Sequence, residues 1–126
     1  MNEIIHVEIP STDLKKSKEF YEKLFNWKVD LVPEMNYAMW AAPAGPAGGF
    51  NPVKELCTCA EGCTLIYIQI ENVDSKCKEI ESAGGKVIKA KTAVGNMGWF
   101  AIIQDTAGGV IGIWENAPKQ ENAPKP

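Results

Sequence analysis

Apolar and polar residues alternate through IIHVEI, residues 4–9, which predicts a strand with Ile5, Val7 and Ile9 on one face and Ile4, His6 and Glu8 on the other. Ser11, Thr12 and Asp13 then offer helix N-caps, and the apolar residues at 14, 21, 24 and 25 fall on one stripe of an amphipathic helix over 14–25. Asn26-Trp27 ends that helix, WKVDLV predicts a second strand, and YAMWAA (37–42) a third. The Gly/Pro stretch PAGPAGGF (43–50) reads as a turn leading at most to a short fourth strand.

The pattern then begins again. TLIYIQI (64–70) alternates with Ile66, Ile68 and Ile70 on one face and Leu65, Tyr67 and Gln69 on the other, and VDSKCKEIESA (73–83) carries Val73, Cys77, Ile80 and Ala83 on one helical face. Gly84-Gly85 stops this helix; KVIKA, GWFAIIQ and VIGIW follow as three strands, the last two joined by the DTAGG turn. Sliding the first half by 59 residues (14 to 73) lays one helix on the other and Asn26 on Gly85 without a gap. The expectation is an α+β fold of two tandem βαβββ modules, 1–55 and 64–115 with a linker at 56–63, forming a curled mixed sheet with a concave pocket. His6, Tyr67 and Gln69 would face that pocket. The remainder, 116–126, repeats NAPK, is rich in Pro, and is expected to be a disordered tail.

At 126 residues with 45% hydrophobic content the chain can bury the core of one domain. No apolar run approaches the length that spans a bilayer, and MNEIIHVEIP has no basic segment of the kind that opens a signal peptide, so the expected compartment is the cytoplasm. A net charge of -3, with lysines scattered among acids, excludes a basic stripe for nucleic acid. All 13 basic residues are Lys, which removes the planar fork that clamps carboxylates and phosphates. Cys57, Cys59 and Cys63 sit in CTCAEGC, a spacing that fits a zinc site poorly, and free thiols are the expectation.

IIHVEIPSTDLKKSKEFYEKLFNW, NVDSKCKEIESAGGKV and GWFAIIQDTAGGVIGIWE, in this order and spacing, resemble the vicinal oxygen chelate superfamily, which includes glyoxalase I, bleomycin- and fosfomycin-resistance proteins and extradiol dioxygenases. The subgroup most similar is the one described as lactoylglutathione lyase-related. Metal-dependent members of that family draw four ligands from four strands. The resemblance places the first on His6, the second on Leu65 or Tyr67, one within Gly48-Gly49 and the last on Gly112. Only His6 of these suits a divalent metal, so no cofactor is expected, with Ni, Zn or Fe implied if the chain is an enzyme of the family's usual kind. Glu115 is no substitute, because it shares its strand face with Ile111 and Ile113.

The resemblance implies three functions: a metal-free binder of a small, apolar or aromatic molecule; a glyoxalase-like lyase or isomerase using His6; or an interaction module that kept the fold alone. The aromatic-rich strands favour the first. The candidate ligand-binding residues are His6, Tyr67, Gln69, Trp40 and Trp99, and the candidate catalytic residues are His6 and Tyr67. The implied partners are a small-molecule ligand and a second copy in a homodimer, with no nucleic acid and no membrane.

Overall fold

The computed structural model describes residues 1–55 and 64–118, so the CTCAEGC cysteines and residues 119–126 lie outside the described residues. Each half of the chain builds one four-stranded mixed sheet. The first holds β1 (Val7–Ser11), α1 (Leu14–Phe25), β2 (Lys28–Val32), β3 (Tyr37–Ala41) and β4 (Ala47–Pro52). The second holds β5 (Tyr67–Gln69), α2 (Val73–Ser82), β6 (Lys86–Val94), β7 (Gly98–Gln104) and β8 (Val110–Asn116). The strand orders, β1-β4-β3-β2 and β5-β8-β7-β6, are the same topology built twice, with β1 parallel to β4 and β5 parallel to β8. The α+β class and paired βαβββ units are therefore as the repeat implies, in two sheets rather than one continuous curled sheet.

Local chemistry sets the helix limits. The Asp13 carboxylate accepts from the N–H groups of Lys15 and Lys16 at the start of α1, and Asn26 ends it in the left-handed conformation, φ 59°. Asn72 caps α2 through the N–H of Ser75, while Glu115 reaches over from β8 to accept from the N–H of Val73 at 2.8 Å. Glu115 thus lies on the helix-facing side of its sheet, where its alternation with Ile111 and Ile113 puts it.

Several strand limits differ from the pattern. β1 starts at Val7, leaving Ile4 and Ile5 exposed ahead of it, and continues through Pro10, whose missing N–H is tolerated because β1 is an edge strand. β4 is a full strand of six residues lying between β1 and β3. Gly48 forces this close approach: a Cβ there would overlap the carbonyl of Val7 on β1. β8 extends to Asn116, and the N–H of Ala117 bonds Met97 O at 3.0 Å, so the first residues of the expected tail belong to the folded unit.

One buried cluster joins the two units, with Phe20, Tyr21, Leu24, Phe25, Trp27, Trp40 and Phe50 from the first meeting Val73, Ile80, Ile103, Ile111 and Ile113 from the second. Three rings stack in series, Tyr21 on Trp27 at 4.7 Å between centroids and Trp27 on Trp40 at 4.2 Å. At the end of that series Tyr21 Oη donates to Asp105 Oδ2 in the β7–β8 turn, at 2.7 Å. Beside it the N–H of Thr12 bonds Ala107 O, and Lys76 Nζ on α2 donates to Leu24 O at the end of α1. No helix among the described residues is long and apolar enough to cross a membrane.

Candidate functional site

On the face of the first sheet away from α1, strand register brings Glu8, Met39 and Gly49 side by side, and Tyr37 lies diagonally across Gly49. The Tyr37 hydroxyl donates to Glu8 Oε2 at 2.9 Å, and His6 Nε2 lies 2.9 Å from Tyr37 Oη. Because the phenol's single proton is directed to Glu8, the His6 contact requires an N–H on Nε2 that donates to Tyr37 Oη. Burial, then the hydrogen bond to Glu8 and its charge, push the Tyr37 hydroxyl up to about 12. The result is a neutral phenol held between a carboxylate and an imidazole.

This arrangement predicts that Tyr37, followed by ¹³Cζ chemical shift, ionises near 12 in the native protein. Glu8→Gln keeps an acceptor but removes the charge, so the value falls part of the way toward 10.0. A value unmoved by this substitution would show that Glu8 does not hold the phenol.

The second sheet repeats the geometry with apolar partners. Tyr67 is directly across from Gly112, and its ring meets Phe100 edge-on with centroids 6.2 Å apart. Lys89 Nζ lies 5.3 Å from the Phe100 centroid. Both glycines are occupied from above: a Cβ on Gly49 would overlap the Tyr37 ring, and one on Gly112 the Tyr67 ring. The family resemblance implies metal ligands at Gly112 and within Gly48-Gly49. Among the described residues no three His, Cys, Asp or Glu side chains come together at metal-binding spacing.

A cleft of about 460 Å³ opens where the units meet, along β5. The stacked Trp27 and Trp40 form one wall, with Phe25 and Val7; Pro43, Ala44 and Pro46 of the β3–β4 loop form another; Ile66 to Gln69 close it. Its volume and mostly apolar lining with few polar groups are those of small-molecule sites. A second cleft, of about 580 Å³ and more polar, continues from it between the end of α1 and the start of α2.

The five candidate ligand-binding residues therefore do not form one site. Trp40, Tyr67 and Gln69 line the apolar cleft. Trp40 reaches it from the helix-facing side of β3, buried with its Nε1 donating to Gly49 O at 3.1 Å, while its neighbour Met39 takes the open face. His6 belongs to the separate Tyr37–Glu8 network. Trp99 lies apart from both, on the side of β7 shared with Ala101 and Ile103, under Lys91 Nζ at 4.8 Å. The candidate set did not include Trp27, Phe25, Tyr37 or Phe100. The alternation Tyr37-Met39 against Ala38-Trp40 carried the signal for Tyr37, whereas GWFAIIQ is apolar on both faces and gave none for Phe100.

The fold defines a class of proteins built on paired βαβββ units. The Glyoxalase/Bleomycin resistance protein/Dioxygenase superfamily model matches residues 3–113, and the chain belongs to that superfamily. Among curated proteins it is similar to the anthracycline biosynthesis protein DnrV of Streptomyces peucetius, 23% identical over 129 residues and covering 85% of this chain. The chain spans only 44% of that relative's length. It is also similar to a glyoxylase-like domain-containing protein of Didymella fabae, 22% identical, covering 88% of this chain and 91% of that one. Among solved structures, the fosfomycin resistance protein FosX of Listeria monocytogenes, complexed with Mn(II) and 1S,2S-dihydroxypropylphosphonic acid, superposes with a TM-score of 0.75 at 18% identity, covering 93% of this chain and 92% of that one. A glyoxalase family protein of Bacillus cereus gives 0.69 at 16% identity, covering 94% and 96%.

Proposed function

We propose that this protein binds a small, largely apolar planar molecule in the cleft beside Trp27 and Trp40, without the divalent metal of its metal-dependent relatives. The observation that carries this reading is the cleft itself: two nearly buried indoles stacked at 4.2 Å contribute to its lining together with Phe25, Pro43, Pro46 and Gln69. The metal part rests on Gly49 and Gly112, because a carboxylate side chain at either position needs the space that the Tyr37 and Tyr67 rings fill. His6 alone supplies one ligand where a catalytic centre takes about three. The relatives named for anthracycline biosynthesis are in keeping with a small-molecule ligand.

Titration with planar bicyclic compounds should quench tryptophan emission saturably, and Ala44→Trp, which fills the cleft from the loop, should abolish the quenching. Chelator should leave it unchanged. One nickel or zinc per purified chain, with binding lost to a chelator, would overturn the reading.

A second reading is favoured by the His6–Tyr37–Glu8 network, which could move a proton for a glyoxalase-like lyase or isomerase. Turnover of the methylglyoxal–glutathione hemithioacetal that vanished in His6→Ala would establish it.

A further inference from the structure

The two clefts meet along one line, since Phe25, Ile68 and Gln69 border both. That line is the outer edge of β5, which among the described residues pairs with β8 alone. Ile66 O accepts from Gly112 N and Ile70 N donates to Trp114 O, so the even-numbered residues turn their peptide groups toward β8. Alternation leaves the N–H and C=O groups of Tyr67 and Gln69 directed away from β8, along the edge that the clefts follow. A free sheet edge in a cleft is a row of fixed donors and acceptors.

The chemistry changes along that row. One end is the indole and proline wall. The other is polar with balanced charge: Asn26, Gln69, Asn72 and Ser75, with Lys23 and Lys76 offset by Glu71 and Glu79. Lys76 is already engaged by Leu24 O and by Glu79 at 2.9 Å, which leaves amides and a hydroxyl facing the space together with one charge of each sign, Lys23 and Glu71. Balanced charge with many neutral donors suits hydroxyl groups better than an anion.

Resting on the binding function proposed above, we propose that the two clefts are one site for an amphipathic ligand. Its planar ring lies against Trp27 and Trp40, its linking atoms meet the Tyr67 and Gln69 peptide groups, and a neutral polyhydroxylated substituent such as a sugar fills the polar end. β5 is only three residues long, so its edge favours such a compound over an added peptide strand.

Isothermal titration calorimetry with 4-methylumbelliferone and its β-glucoside tests this directly. The glucoside should bind about tenfold tighter, the gain from two net neutral hydrogen bonds. In the double variant Asn26→Gly/Ser75→Ala the ratio of the two affinities should fall to near one; glycine keeps the left-handed turn at position 26 while removing the carboxamide. Equal affinities in the native protein, or a ratio unchanged in the variant, would overturn the two-part site and leave the aromatic cleft standing. Heat from neither compound would overturn both.

Discussion

Asp105→Ala is expected to cost about 3 kcal/mol, a large part of the 5–15 kcal/mol that holds a domain of this size folded. The carboxylate is 5% exposed and fully used: Oδ1 accepts from the N–H groups of Ala107 and Gly109, each at 2.8 Å, and Oδ2 from Tyr21 Oη. Removing it strands a phenol that is itself fully buried, at the point where α1 of the first unit meets the β7–β8 turn of the second. A melting point lowered by about 10 °C would report this loss. Tyr21→Phe should cost less, about 1–2 kcal/mol, because the two amide bonds remain. A melting point within a degree or so of the native value in Asp105→Ala would mean that this bond does not hold the units together.

The same group gives a pH dependence of opposite sign to the usual carboxylate. Burial raises the Asp105 pKa above 3.8, and the bonds from Tyr21, Gly109, Ala107 and Gly108, which lower it, offset this only in part. A raised pKa means that the folded state binds the proton more readily than the unfolded chain. The stabilisation is therefore full below the unfolded value and is lost as pH rises through the folded one. Asp105→Asn keeps the shape, with its oxygen accepting the amides and its NH₂ donating to Tyr21. The difference in stability between native protein and this variant should change across that window alone, as urea melts at a series of pH values would show.

The repeat was legible because each helix carries its own stripe and cap: α1 and α2 begin at Leu14 and Val73, where Asp13 and Asn72 place them. Faces were legible where a strand alternates cleanly, as in β5 and at Glu115. Length was not. β4 looked short because PAGPAGGF reads as turn, yet Gly48 and Gly49 are strand residues made necessary by Val7 and Tyr37 pressing on them. The site was less legible still, since the aromatic cleft is assembled from helix-facing Trp27 and Trp40 and from a free strand edge. No local pattern says which edge of β5 pairs. Family position pointed to the open face at His6, and there it located the residue but not its partners, Tyr37 and Glu8, which arrive through β3 and β1 register.

The glycines at the family's ligand positions are also open to experiment. Gly112→Glu is expected to destabilise the protein by about 2 kcal/mol, because the new side chain must push the Tyr67 ring off the strand and away from Phe100. If the ring is the cause, Tyr67→Ala should cost little by itself, Tyr67 being 52% exposed, and should absorb much of the penalty when combined with Gly112→Glu. A coupling of about 1 kcal/mol or more in that double-mutant cycle is the expected result. Coupling near zero would mean that the glycine serves the backbone and that a carboxylate could be restored without displacing anything. With coupling present, the Tyr67 ring holds the space that a carboxylate side chain at position 112 would take. Gly49 and Tyr37 pose the same choice on the first sheet, where the displaced ring would also surrender its bonds to Glu8 and His6.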